Sequence, residues 1–245
     1  MCRHVAHLGP PAPLHDLLFG ASHSLSHQSE HPEHMDSGND NPDGWGVGWY
    51  THGVAEPERY RTTTPIWEDA TFANRATGIE TGAFLAAARL ASPGAAIDAT
   101  GNAPFRSGPW LFSLNGIVHG FHDEIGRVLR RAVSAARRGD IEGDTDSEVL
   151  FAMTLDRLDA GVAPADALES VVRDVLDVAS GRLNLLLTDG HLVAATRAGR
   201  SLFVCGSTVA SEPLDDDPRW QEVADGGIVL VPAAGSDAVV RVAAR

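Results

Sequence analysis

The sequence predicts an α+β fold, and three observations carry that prediction. Short β-branched or alternating runs occupy both ends of the 245-residue chain. Three longer stretches of helical period lie between them. The strands and helices do not alternate regularly, which argues for layers of sheet and helix rather than βαβ units.

The strand-like runs are 2–8, 45–51, 82–90, 110–114, 183–188, 192–196, 201–205, 227–231 and 239–242. Gly, Pro or Asp turns separate them. The runs 183–188 and 192–196 flank Asp189-Gly190, a hairpin signal. Helical period covers 122–138, 147–159 and 164–179, with a shorter helix expected over 14–19. In the second, Val149, Leu150, Met153, Leu155 and Leu158 form a broad apolar face. The polar stretch 21–41 reads as a surface loop, and as a lid if it borders a site. Its His23, His27 and His31 have helical i, i+4 spacing that offers a metal site, though Pro32 interrupts the run before His34. No repeat or low-complexity linker divides the chain, so residues 1–245 are read as one domain.

Composition narrows the function classes. The formal charge is −14 and every basic residue is Arg. Nucleic-acid binding, which needs a basic face, is not expected. A lysine Schiff base is excluded. No apolar run approaches the roughly 18 residues of a membrane span. The first twenty residues carry Arg3, His4, His7 and three prolines, and do not read as a signal peptide. Two cysteines give no disulfide framework. The protein is expected in the cytoplasm, with no membrane partner and an open oligomeric state.

Five segments carry candidate chemistry. Cys2 follows Met1; removal of Met1 would expose an α-amine of pKa about 8 beside a thiol of about 8.5. A base and a nucleophile in one residue suit N-terminal nucleophile catalysis. Asp43-Gly44-Trp45-Gly46-Val47-Gly48 is a turn entering a strand. Its alternate glycines let either a ligand or a neighbouring sheet come close. Arg89 stands among small apolar residues ahead of Ser92-Pro93-Gly94. It needs an anionic partner, internal or from substrate. Asn115-Gly116 ends an apolar run and reads either as a turn or as an oxyanion hole. Thr145 and Glu148 have capping-box spacing; Asp146 is then a spare carboxylate able to bind an ammonium group.

In this order, with Ala210-Ser211-Glu212-Pro213-Leu214 near the C-terminus, these segments resemble the class II glutamine amidotransferase family. The opening Met-Cys-Arg-His, the Ala-Ala-x-Arg strand and the Pro104-Phe105 pair resemble its small stand-alone branch in ergothioneine biosynthesis. The resemblance implies the N-terminal nucleophile hydrolase fold, a four-layer αββα sandwich with two mainly antiparallel sheets between helix layers. It implies hydrolysis of a γ-glutamyl amide through a Cys2 thioester, with no metal or organic cofactor and a small-molecule substrate.

The implied roles follow the same positions. Arg89 takes the glutamyl α-carboxylate with help from Ser92, and Asp146 takes the α-ammonium. Asn115 and Gly116 stabilise the oxyanion. The departing amine would carry a trimethylammonium and an imidazole, for which Trp45 and other aromatics offer a cage; core packing is the alternative for each. The usual glutaminase pattern has His-x-Arg, Asn-x-His-Pro-Phe and His before Asn-Gly. Here Ala87 stands at the first of these histidines, Asn102-Ala103-Pro104-Phe105 lacks the second, and Leu114 precedes Asn115-Gly116, which points away from plain glutamine. Two other readings are a glutaminase supplying ammonia to a separate synthase and a non-catalytic His-rich metal-binding module.

Overall fold

Period-two alternation in the first strand divides its side chains between two cores. The computed structural model describes residues 2–33, 40–92, 95–232, 234 and 236–242. From the N-terminus the elements are β1 (Arg3–Pro13), α1 (Leu25–Glu30), β2 (Trp45–Trp49), β3 (Glu58–Thr62), α2 (Ala70–Ala76) and β4 (Glu80–Ala88). Next come β5 (Phe105–Ser107), β6 (Trp110–Val118), α3 (Glu124–Ala132), α4 (Asp146–Asp159) and α5 (Pro164–Leu176). The chain continues with β7 (Gly181–Thr188), β8 (Val193–Thr196), β9 (Phe203–Cys205) and β10 (Thr208–Ala210). It closes with β11 (Gln221–Glu222), β12 (Gly227–Val231) and β13 (Val239–Val242).

Among the described residues the strands form two sheets, ordered β11-β9-β10-β1-β4-β2-β3 and β13-β12-β8-β7-β6-β5. Their pairings are antiparallel. Val5 of β1 joins Trp45, Val47, Phe84 and Ala86 beneath α1 and α2, with Leu25, Phe72 and Ala76. Ala6 and Leu8 face the other way, onto Leu111, Leu186, Val193 and Val229 of the second sheet. That sheet's far side packs Phe112, Leu183, Leu185 and Leu187 against Leu129, Leu150, Met153, Leu168 and Val171 of α3, α4 and α5. The result is four layers: helix, sheet, sheet, helix.

Several boundaries differ from the sequence reading. Helix α1 arises in the stretch read as a loop, and strands β3, β5, β10 and β11 and helix α2 arise where the sequence reading placed no element. Ser24 caps α1 by accepting from His27 N–H, which folds part of the expected 21–41 loop. The short helix expected over 14–19 is present over residues 14–20, its last five, Asp16–Gly20, in a π turn. Helix α3 stops at Ala132, where Val133 turns to extended backbone. Helix α4 carries the expected capping box between Thr145 and Glu148. The hairpin at Asp189-Gly190 is present, with Gly190 at φ 84°.

The alternate glycines of β2 serve sheet packing. A Cβ on Gly46 would meet Ala103 O at 2.5 Å, and one on Gly48 would meet Leu111 Cδ1 at 2.6 Å. Both glycines face the second sheet and set how closely it approaches.

Candidate active site

The start of β1 and the end of β4 meet at one end of the gap between the sheets. Their register pairs Arg3 with Ala88 and His4 with Ala87, so one further step sets Cys2 opposite Arg89. Both residues line a cavity of about 290 Å³. Cys2 is half-buried.

Buried contacts anchor the strand that carries Cys2. Arg3 pairs with Glu212, at 2% and 3% exposure, so neither charge is left bare. Burial pushes the Arg3 pKa down and the Glu212 carboxylate opposes that shift. Ser211 N–H donates to His4 O at 3.0 Å, and His4 N–H donates to Ser211 Oγ at 3.0 Å. Gln28 Nε2 donates to Glu212 O at 3.2 Å and Pro213 O at 2.9 Å. The Ser211-Glu212-Pro213 segment therefore buckles the start of β1. His4 Nδ1 lies 2.8 Å from Ser113 Oγ. Burial first, and the Arg3 charge second, lower the His4 pKa to about 3, so its imidazole is neutral near pH 7.

Arg89 is held by the Asp43-Gly44 turn. Arg89 N–H donates to Gly44 O at 2.8 Å, and Asp43 N–H donates to Arg89 O at 3.1 Å. Asp43 Oδ2 accepts from Ala91 N–H at 2.7 Å. Gly44 needs its φ of 103°, and a Cβ there would meet Thr62 O at 2.2 Å. The guanidinium donates to Ala96 O at 3.2 Å and Asn102 Oδ1 at 3.5 Å. Among the described residues its side-chain hydrogen bonds go to these carbonyl oxygens, while its charge helps hold the Asp98 pKa down. Its remaining N–H groups suit a planar anion. Gly101 lets the guanidinium lie flat, since a Cβ there would meet Nη1 at 2.8 Å.

Gly116 and Asp146 line the same cavity as Arg89. Leu183 N–H donates to Ala198 O, so the Gly116–Leu183 pair is one whose backbone groups point away from each other. Gly116 N–H is thereby aimed away from β7. Two residues on, Val118 N–H follows the same direction and donates to Asp146 Oδ2 at 2.9 Å. Asp146 Oδ1 accepts from Ser147 N–H at 2.8 Å. Burial raises the Asp146 pKa, and the Val118 and Ser147 donors partly offset it. Ser92 completes the Arg89 side of the lining; Pro93-Gly94 lies outside the described residues.

Two expected site residues are placed differently. Trp45 does not reach the cavity. It shares the outward face of its strand with Val47, is fully buried and donates its indole N–H to Asp69 Oδ2 at 3.2 Å. Its strand turns Gly46, not Trp45, toward the gap, so the cage reading of Trp45 is corrected to core packing. Asn115 lies beside the cavity rather than on its lining, is 1% exposed, and donates from Nδ2 to Ser211 Oγ at 3.1 Å. Asn115-Gly116 is also no turn: both residues sit inside β6.

The cavity contains residues that sequence reasoning did not select. His119, Phe121, His122 and Asp123 follow Val118 around its rim, and Phe105 lies on its wall. Asn102, which orients Arg89, is fully buried and donates from Nδ2 to Thr62 O at 2.7 Å. Its signal was the Asn102-Ala103-Pro104-Phe105 run. The rim residues had no signal beyond following Asn-Gly. Ala87, Ala103 and Leu114 all line this cavity.

The histidine stretch lies elsewhere. The rings of His23 and His27 are 5.7 Å apart, and those of His27 and His31 are 5.5 Å apart. They line a separate cavity of about 250 Å³ with Asp215, Asp216 and Asp217. Among the described residues no group of three His, Cys, Asp or Glu is arranged to hold a metal ion. His34 lies outside the described residues.

Known proteins share both sequence and fold with this chain. The family described as glutamine amidotransferases class-II matches residues 21–208. The γ-glutamyl-hercynylcysteine sulfoxide hydrolase of Mycolicibacterium smegmatis is 36% identical over 236 residues, 94% of this chain and 96% of that protein. The protein of the same name from Mycobacterium tuberculosis H37Rv is 32% identical over 243 residues, 96% of this chain and 94% of that protein. Among solved structures, a glutamine aminotransferase class-II domain protein from Silicibacter pomeroyi has a TM-score of 0.73 and 25% identity over 100% of both chains. Glutamine phosphoribosylpyrophosphate amidotransferase from B. subtilis has a TM-score of 0.67 and 14% identity over 98% of this chain and 49% of that one. The second likeness is one of fold alone.

Proposed function

The chain belongs to the class II glutamine amidotransferases, and from that premise we propose that it hydrolyses the γ-glutamyl amide of γ-glutamyl-hercynylcysteine sulfoxide. Its two sheets between helix layers form the N-terminal nucleophile hydrolase fold. The products are glutamate and hercynylcysteine sulfoxide, in ergothioneine biosynthesis. The proposal assigns residues 1–245 to one catalytic domain acting in the cytoplasm; among the described residues no helix is long and apolar enough to cross a membrane.

One observation carries the reading: a single cavity is lined by Cys2, Arg89, Ser92, Gly116 and Asp146. A γ-glutamyl group has an α-carboxylate, an α-ammonium and a γ-carbonyl. Arg89 and Ser92 take the carboxylate, Asp146 takes the ammonium, and the carbonyl then lies over Cys2. Fixing the glutamyl head in this way supplies the orientation that a bimolecular attack lacks.

The chemistry uses Cys2 twice. With Met1 removed, the α-amine accepts the thiol proton as sulfur bonds to the γ-carbon. The carbonyl electrons move onto oxygen, where Gly116 N–H and the Asn115 amide meet the negative charge. The tetrahedral species collapses, the C–N bond breaks, and the departing amine takes the proton from the α-ammonium. Water then loses a proton to the α-amine and attacks the thioester, releasing glutamate and restoring the thiol.

The cavity walls favour an amine bulkier than ammonia. Ala87 and Ala103 leave space beside Cys2, and the rim continues over Phe121, His122 and Asp123. Steady-state kinetics on γ-glutamyl-hercynylcysteine sulfoxide and on glutamine test this. We expect kcat/KM to favour the bulky amide by about 100-fold or more, within what a shaped pocket supplies. A preference for glutamine would overturn the proposal in favour of an ammonia-supplying glutaminase.

A further inference from the structure

Behind Cys2 lies a buried hydroxyl with every bonding position filled. Ser211 is fully buried. Its Oγ accepts from His4 N–H at 3.0 Å and from Asn115 Nδ2 at 3.1 Å, and donates to His4 O at 3.3 Å. A hydroxyl has one proton and two lone pairs, so these three contacts exhaust it. With its proton on the His4 carbonyl, Ser211 meets Asn115 only as an acceptor. That selects the nitrogen end of the Asn115 amide and turns Oδ1 away. Oδ1 is buried and has no hydrogen-bond partner.

The amide nitrogen carries two hydrogens, and Ser211 holds one. The other remains available on the face that Asn115 shares with Ser113, two residues earlier in β6. Ser113 Oγ meets His4 Nδ1 at 2.8 Å, and His4 shares its strand face with Cys2. The held amide and the thiol therefore open onto the same gap between the sheets. Ser211 itself does not line the cavity, so it acts through Asn115.

We infer that Ser211 is a positioning residue: it locks the Asn115 amide so that the free N–H is presented to the oxyanion formed at Cys2. The inference rests on the oxyanion role given to Asn115 above. Without Ser211 nothing described selects the nitrogen end, and the amide turns about its Cβ–Cγ bond. The donor is then present but oriented for only part of the time. Substrate binding, which uses Arg89 and Asp146, is untouched.

Three measurements on the full chain test it, using Ser211→Ala, Asn115→Ala and the double variant. Turnover of γ-glutamyl-hercynylcysteine sulfoxide separates kcat from KM. Affinity for a γ-glutamyl aldehyde reads the oxyanion site, because its thiohemiacetal with Cys2 places an oxygen there. Alkylation of Cys2 by iodoacetamide reads the thiol alone. For Ser211→Ala we expect kcat and aldehyde affinity to fall about tenfold or more, with KM and alkylation within about twofold of wild type. The double variant should be no slower than Asn115→Ala, since the two residues act as a unit.

Wild-type kcat in Ser211→Ala, beside a slow Asn115→Ala, would overturn the inference alone. So would a fall in alkylation matching the fall in kcat, which would mark a displaced β1. A wild-type rate in Asn115→Ala would instead sink the oxyanion reading beneath it. If Ser211→Ala does not fold, Ser211→Cys in a Cys205→Ala background repeats the test, because a thiol is a weak acceptor; alkylation is then read on the Cys2 peptide by mass.

Discussion

In the proposed mechanism, Asp146 gives the site its acid sensitivity. Burial favours its neutral form, so it protonates at a higher pH than an ordinary aspartate. A neutral acid cannot balance the substrate's ammonium. As pH falls through the raised pKa of the free protein, kcat/KM should fall with it, and the midpoint should lie above the usual aspartate value of about 3.9. Asp146→Asn should remove that limb and raise KM across the range. A limb at or below the ordinary value, or one that survives the substitution, would contradict the role. At this scale the sequence was most informative where a residue has no good structural use. Arg89 among alanines and the spare acid beside a capping box both line the cavity with Cys2. Trp45 misled because an aromatic beside glycines in a strand is equally at home on either face. Period two separates Trp45 from Gly46, but only the second sheet decides which of them turns inward. Ser211 was legible only as a pattern, because its partners His4 and Asn115 lie 207 and 96 residues away.

At the scale of elements, Asn115-Gly116 shows where local rules fail. Asn-Gly is a favoured turn pair, yet β6 runs through it to Val118. Glycine is required by a close approach instead: a Cβ on Gly116 would lie 1.7 Å from Arg182 O on the neighbouring strand. Gly116→Ala should force β6 and β7 apart and cost about 1–3 kcal/mol or more, as other insertions into packed sites do. For a domain of this size that lowers Tm by about 2–4 °C per kcal/mol. Thermal unfolding measures it, and an unchanged Tm would contradict the packing described. The capping box of α4 and the Asp189-Gly190 hairpin were legible because their signals lie within a few residues. Strands β3, β5, β10 and β11 were not, because none exceeds 5 residues and each owes its form to pairing with another strand rather than to its own local signals.

Across the whole molecule, the layers explain why the candidate site lies where it does. Two sheets packed through Ala6, Leu8, Leu85 and their partners leave a gap at one end, where the anchored start of β1 carries Cys2. The α+β class was readable from the order of runs, and the αββα stacking came from family resemblance, since composition and period do not state which faces meet. The central claim is that Cys2, freed of Met1, attacks a γ-glutamyl carbonyl. Intact mass spectrometry of the purified protein, before and after treatment with a γ-glutamyl diazoketone, tests it most directly. The account predicts a chain lacking Met1 that gains one adduct, located on Cys2 by peptide mapping, with activity lost in step. An active chain that retains Met1, or an adduct on Cys205 with Cys2 untouched, would contradict it.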